Sequence, residues 1–177
     1  MKQKFAQFYM DVAHRTAQLS YAQRLKVGCI IVKQDRIVSL GFNGTPSGWD
    51  NTCETQEIMP DDVGGWLSPE EVDQAWPHIN SNDERYKLVT KPEVLHSEMN
   101  ALMKLAKSTD SGAGATMFIT HAPCINCAKA IYQAGISEVV YGVDYRSTDG
   151  TYFLQKCGMK ISKMVPSDAH LAQQKSD

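Results

Sequence analysis

The sequence predicts an α/β fold with a mixed sheet, opening on an antiparallel hairpin and continuing with parallel strands. Two short apolar runs rich in β-branched residues carry the first part of that reading. They are Val27-Gly28-Cys29-Ile30-Ile31-Val32 and residues 36–42 (RIVSLGF), and the link Lys33-Gln34-Asp35 between them is short enough for a hairpin. Beyond residue 96, strand-like and helix-like patterns alternate, which is the order that parallel strands and crossover helices produce. A chain of 177 residues, 42% hydrophobic and 21% charged, suits one globular domain over 1–177.

The remaining elements follow from local signals. Phe5, Phe8, Met10, Val12, Ala13, Ala17 and Leu19 recur at helical spacing, predicting a first helix over residues 4–19. A polar, glycine-rich loop follows the hairpin over residues 43–51. Residues 52–92 read as a loop-rich insertion with one short helix near 69–76. That helix is marked by an N-cap Ser68, Pro69 at the first helical position and Glu71 three residues after the cap. After His96 come a helix over 97–107, a strand over 116–120 and a helix over 124–135. A strand over 138–143, a helix over 149–156 stopped by Gly158, and a strand over 160–164 complete the pattern. No internal repeat or low-complexity segment is evident.

Composition excludes several classes. The formal net charge is −2 and no basic stripe is present, which argues against long nucleic acid as the ligand. No run reaches the roughly 18–20 apolar residues of a membrane span. The N-terminus lacks the apolar core of a signal peptide, and the five cysteines form no disulfide-like ladder. A reducing cytoplasm is the expected location.

The chemistry lies in His96-Ser97-Glu98 and Pro123-Cys124-Ile125-Asn126-Cys127. Cysteines three apart at a helix start share a face, and the positive end of the helix dipole favours their thiolates. Two thiolates and one imidazole from His96 form a neutral Zn²⁺ site with a fourth position left for water, as in catalytic zinc. Zinc lowers the pKa of such a water from 15.7 toward about 7. Residues two apart on a helix point about 200° away from each other. His96 and Glu98 therefore share a site only if His96 stands at or before the first turn, with the 91–95 segment extended up to it. Glu98 is then a proton shuttle facing the water, without binding the metal.

A Cys-x-x-Cys pair by itself is also what half a structural zinc knuckle or a thioredoxin-like redox pair presents. A second knuckle is missing, because Cys29, Cys53 and Cys157 are isolated, and redox chemistry has no use for His96 or Glu98. Cys29 reads as strand core and Cys157 as a helix-end packing residue. His14 and His170 read as surface or satisfied polar positions rather than ligands. His121 lies close before the Cys pair, where pocket lining and a plain strand-end role are both open.

His-x-Glu followed by Pro-Cys-x-x-Cys is the signature of the zinc deaminases. From first helix to last strand the chain resembles the deoxycytidylate (dCMP) deaminases of the cytidine-deaminase-like superfamily. The resemblance rests on Ser20…Arg24…Val27-Gly28 and on the loop Gly41-Phe42-Asn43-Gly44-Thr45-Pro46-Ser47-Gly48. It extends to His96-Ser97-Glu98-Met99-Asn100-Ala101 and to Pro123-Cys124…Cys127-Ala128-Lys129…Ala134-Gly135-Ile136. It implies a three-layer α/β/α fold on a five-stranded sheet, a homohexamer, and hydrolysis of dCMP to dUMP and ammonia. It also implies activation by dCTP, inhibition by dTTP, and Mg²⁺ accompanying the triphosphate. Asn43 is implied at the deoxyribose, and Ser20, Arg24 and Tyr145 at the 5′-phosphate or base, with Lys26 and Lys107 as effector or phosphate contacts.

Two departures modify these expectations. Many relatives carry a cysteine near the position of Ala22, and some viral ones build a second zinc site from it. Ala22 cannot ligate, so one zinc per chain is expected. The family often has arginine where Leu19 stands, so rearranged phosphate contacts are expected. The alternatives are a zinc deaminase of tRNA adenosine, a free base or a nucleoside, and, in another class, a non-catalytic zinc-stabilised interaction module. The last would have no use for a carboxylate at position 98.

Overall fold

The computed structural model describes residues 1–164, so the expectation for His170 lies outside the described residues. A hairpin of β1 (Gly28–Lys33) and β2 (Arg36–Phe42) opens the main sheet. Strand β1 also pairs antiparallel with β6 (Thr116–His121). β7 (Glu138–Val143) and β8 (Lys160–Lys163) continue it in parallel. The order is β2-β1-β6-β7-β8, so the sheet is mixed and five-stranded.

Alternation along the strands divides the core in two. Ile30, Val32, Phe118 and Val140 face α1 (Gln3–Ala17) and pack against Ala6, Tyr9, Met10 and Ala13. Cys29, Ile31, Met117, Ile119 and Val139 face the other way. There they meet α3 (Ser97–Ala106), α4 (Ile125–Gln133) and α5 (Asp149–Lys156) through Ala101, Leu102, Leu105, Ala128, Ile131 and Leu154. The result is three layers. Helix α1 turns a different face inward than its apolar pattern implies, because Phe5 and Phe8 remain exposed. A helix can bury only one stripe against a sheet, and Ala6, Met10, Ala13 and Ala17 form one narrow enough for close approach.

The 52–92 segment departs most from its sequence reading. Helix α2 (Pro69–Ala75) is closed by a capping box between Ser68 and Glu71. The segment is not otherwise mainly loop, however. β3 (Glu54–Ile58), β4 (His78–Ile79) and β5 (Arg85–Thr90) form a second, three-stranded antiparallel sheet in the order β3-β5-β4. β3 and β4 are largely exposed and β5 is half-buried along almost its whole length, so none shows the alternation that announces a strand with one buried face. Trp76 is buried beneath the segment, with the Lys87 ammonium 5.2 Å above its ring.

Two close approaches bring the site together. A Cβ on Gly41 would stand 2.1 Å from the Ser97 carbonyl oxygen, so only glycine lets β2 lie against the first turn of α3. Ser39 Oγ donates to the Ala101 carbonyl at 2.7 Å, and Asn100 Nδ2 donates to the Phe42 carbonyl at 2.8 Å, locking that contact. A Cβ on Gly150 would stand 2.0 Å from the Pro123 carbonyl oxygen and 2.8 Å from the Cys124 carbonyl carbon. Gly150→Ala is therefore expected to destabilise the fold by about 1–3 kcal/mol through overpacking. It should also weaken the zinc site expected from the sequence, because the displaced backbone carries Cys124. Thermal unfolding and metal content of the purified variant check both effects.

Candidate functional site

His96 is the N-cap of α3, with an extended backbone at φ −67° and ψ 155°, and Ser97 begins the helix. The 200° separation within a helix thus never arises, because His96 approaches from outside it. Cys124 is likewise the N-cap of α4 (φ −70°, ψ 167°), and Cys127 lies in the first turn. The helix begins one residue later than its sequence pattern implies. Two helix N-termini converge here, and their partial positive charge favours anionic sulfur. Both follow sheet elements, since β6 ends at His121, three residues before Cys124.

The side chains meet. Donor atoms of His96, Cys124 and Cys127 all lie within 4.8 Å of one another, the one such group of three among the described residues. His96 Nδ1 stands 3.6 Å from Cys124 Sγ and 3.5 Å from Cys127 Sγ. Tetrahedral zinc with Zn–S near 2.3 Å and Zn–N near 2.0–2.1 Å places its donors about 3.6 Å apart, so the cluster fits that ion. His96 is exposed, Cys124 half-buried and Cys127 buried, so the donors run from the surface inward.

The electrostatics suit a cation. Hydrogen bonds with Cys127 and then His96 pull the Cys124 thiol down to about 3. Its partner Cys127 is held up by that same bond and by burial. His96 is raised, first by its contact with Cys124. Glu98 is buried beside them, and loss of hydration raises its carboxyl above the ordinary range. Its Oε2 accepts from Ser97 Oγ at 2.8 Å.

Several residues named from the resemblance form a stapled frame leading to His96. Asn43 Oδ1 accepts from the Val27 backbone at 2.8 Å, and Nδ2 donates to the Leu25 carbonyl at 2.8 Å. Gly44 bridges to Leu95, the residue before His96. Ser20 is buried, and its hydroxyl donates to the Asn43 carbonyl at 2.6 Å while accepting from Ala22 N–H. With its only proton spent inside the loop, Ser20 holds the frame's shape and presents no free donor. Arg24 is exposed and donates to Thr90 Oγ1 at 3.1 Å. The Tyr145 ring lies 5.4 Å from the Arg146 guanidinium, whose charge opposes protonation of His96.

Other residues lie elsewhere. Lys107 is the C-cap of α3, about 14 Å of helix rise from Glu98, and Lys26 is exposed in the 20–27 segment. His121 is half-buried, its Nδ1 3.1 Å from Thr120 Oγ1, and burial lowers its pKa. His14 is buried in α1. Cys29 is buried in the core, Cys157 caps α5, and Cys53 is buried with its thiol toward the Asn51 carbonyl.

Sequence reasoning missed three contributors. Glu54 is buried, and its Oε1 accepts from the backbone N–H groups of Gln23 at 3.1 Å and Arg24 at 3.3 Å, tying the small sheet to the frame. Thirty residues separate these groups, so no local signal announces the contact. Arg146 was hidden in the same way. The hydroxyl of Ser97 stood in plain view between His96 and Glu98.

A family model described as the cytidine and deoxycytidylate deaminase zinc-binding region matches residues 3–143. The chain belongs to this family. Within this deaminase family, the human deoxycytidylate deaminase is 32% identical over 169 residues, spanning 92% of this chain and 81% of that protein. The deoxycytidylate deaminase of Schizosaccharomyces pombe is 30% identical over 162 residues. That match spans 91% of this chain and 44% of the yeast protein, so the chain covers less than half the length of that relative. A crystal structure of dCMP deaminase from the cyanophage S-TIM5, in complex with dCMP and dUMP, is 38% identical. It superposes with a TM-score of 0.73, covering 93% of this chain and 99% of the phage chain. The three-layer fold on a mixed five-stranded sheet is the fold of these cytidine-deaminase-like proteins. Among the described residues, no helix is long and apolar enough to cross a membrane.

Proposed function

We propose that this member of the deaminase family hydrolyses dCMP to dUMP and ammonia, as a hydrolase acting on the cyclic amidine C–N bond. The observation that carries the reading is the convergence of His96 Nδ1 and two cysteine sulfurs at 3.5–3.6 Å, with a buried carboxylate beside them. His96, Cys124 and Cys127 would hold one zinc ion. When bound, the metal supplies a nucleophile at neutral pH by acidifying water.

The chain's own groups do the rest. Glu98 takes a proton from the nucleophile and delivers it to N3 of the cytosine, which makes C4 electrophilic. Once the nucleophile's oxygen has bonded to C4, Glu98 moves the remaining proton of that oxygen to the 4-amino group, and the C4–N bond breaks to release ammonia as the C4 carbonyl forms. A raised carboxyl suits both tasks, since it can hold a proton between steps. Asn43 would meet the deoxyribose with the lone pair and the hydrogen its loop bonds leave over. Arg24 would meet the 5′-phosphate with its forked donors and Tyr145 the base. The dCMP named for the phage structure supports this substrate over a free base.

The same reading includes cytoplasmic action in pyrimidine deoxynucleotide biosynthesis, as a homohexamer activated by dCTP with Mg²⁺ and inhibited by dTTP. Its support is the family resemblance, with Lys26 and Lys107 as the cations assigned to effector phosphates. Lys107 is far enough from Glu98 to serve only a site apart from the chemistry. Zinc-loaded protein assayed against dCMP, CMP, dCTP, deoxycytidine and cytosine, with and without dCTP and dTTP, tests the whole. Turnover of dCMP, with deoxycytidine and cytosine slower by at least about tenfold, is the expected result, since a lost charge-assisted hydrogen bond costs about 1.5–3 kcal/mol. Preference for a free base would overturn it.

A further inference from the structure

We propose that Ser97 is a positioning residue for the proton shuttle. Its hydroxyl donates to one oxygen of the Glu98 carboxylate and fixes how that carboxylate is turned toward the donor cluster. The inference rests on the role of Glu98 given above. Ser97 is fully buried, Glu98 is 4% exposed, and Ser97 Oγ donates to Glu98 Oε2 at 2.8 Å.

The bond has no evident helical purpose. Ser97 is the first residue of α3, where a hydroxyl is of little use to the backbone, and the helix has no side-chain cap at all. A glutamate's terminal torsion is broad and nearly two-fold, so a carboxylate without a donor presents its two oxygens interchangeably. A buried donor on Oε2, alongside the carboxylate's contacts with the Glu98 backbone N–H and the Cys127 thiol, breaks that equivalence. It also holds the side chain in the orientation that proton transfer needs, where small misplacement is costly. The pin is local, made by the neighbouring residue, so it persists however the outer loops move.

Ser97→Ala deletes the hydroxyl without adding bulk at a position where alanine suits a helix. In the zinc-loaded variant, zinc content should match the parent, and the thermal midpoint should fall by no more than the few degrees that one lost buried hydrogen bond costs. The kcat for dCMP is expected to fall about tenfold, part of the 10²–10⁴ that positioned acid–base groups contribute. KM and the affinity for dUMP should stay within about twofold, since neither depends on proton transfer. Affinity for the 5′-monophosphate of the 2-pyrimidinone deoxyribonucleoside, which mimics the tetrahedral form when hydrated, should fall with kcat. An unchanged kcat, loss of zinc, or a parallel fall in dUMP affinity would each overturn the proposal. Glu98→Gln is assayed in parallel. If it is inert while Ser97→Ala is fully active, only the role of Ser97 fails; if it remains active, the reading of the site itself is lost.

Discussion

Glu98→Gln is expected to lower kcat for dCMP by about 10²–10⁴-fold while the protein keeps its zinc. The amide has nearly the shape of the carboxylate and can still accept from Ser97 Oγ, so packing around the buried side chain should survive. What it cannot do is take up a proton and release it again. The proposed metal donors are three other residues, grouped within 4.8 Å, and although Glu98 acts on His96 and Cys127 through its charge, it is not one of that group. Steady-state kinetics with metal analysis on the same preparation give the answer. Undiminished turnover in a zinc-retaining variant would remove Glu98 from the proton-transfer role.

Cys127→Ala should have the opposite profile, with metal and activity lost together. Zinc needs three protein donors to keep one position open, and two leave a weak site. Apparent zinc affinities of 10–16 kcal/mol for complete four-ligand sites imply a loss of about 10²-fold or more per thiolate. The protein should nevertheless stay folded. Cys127 contributes a small buried side chain to a core that also contains Ile119, Ala128 and Ile131. Alanine leaves a cavity the size of one sulfur, a modest cost beside the 2–5 kcal/mol of larger truncations. Competition with a chromophoric chelator measures the affinity, and circular dichroism checks the fold. Full zinc retention would mean that the ion is held elsewhere.

The site was legible in the sequence because its parts are local. His96 and Glu98 are separated by one residue, Cys124 and Cys127 by two, and each pair sits where a helix begins. Capping geometry places such residues without reference to the rest of the chain. The hairpin and the parallel half were legible for the same reason, since strand runs and link lengths constrain pairing directly. The small sheet of β3, β4 and β5 was not. Strands that are exposed, or half-buried on both faces, carry no alternation of burial, and their pairing depends on partners tens of residues away, as Glu54 opposite Thr90 shows. Helix α1 was legible as a helix but not in its orientation, because Phe5 and Phe8 belong to the apolar pattern yet stay in solvent.

By itself, then, the sequence determined the helix starts to within a residue, the hairpin, the direction of the later strands and the residues that meet at the donor cluster. Each of these depends on neighbours within a few positions. Tertiary structure alone decided that the donors close to 3.5–3.6 Å, that Ser20 is spent on the Asn43 carbonyl, and that a buried Glu54 ties the insertion to the frame. Those facts follow from which surfaces press together. Contact between residues far apart in the chain is set by packing and by the need to satisfy buried polar groups, and neither is written in local spacing.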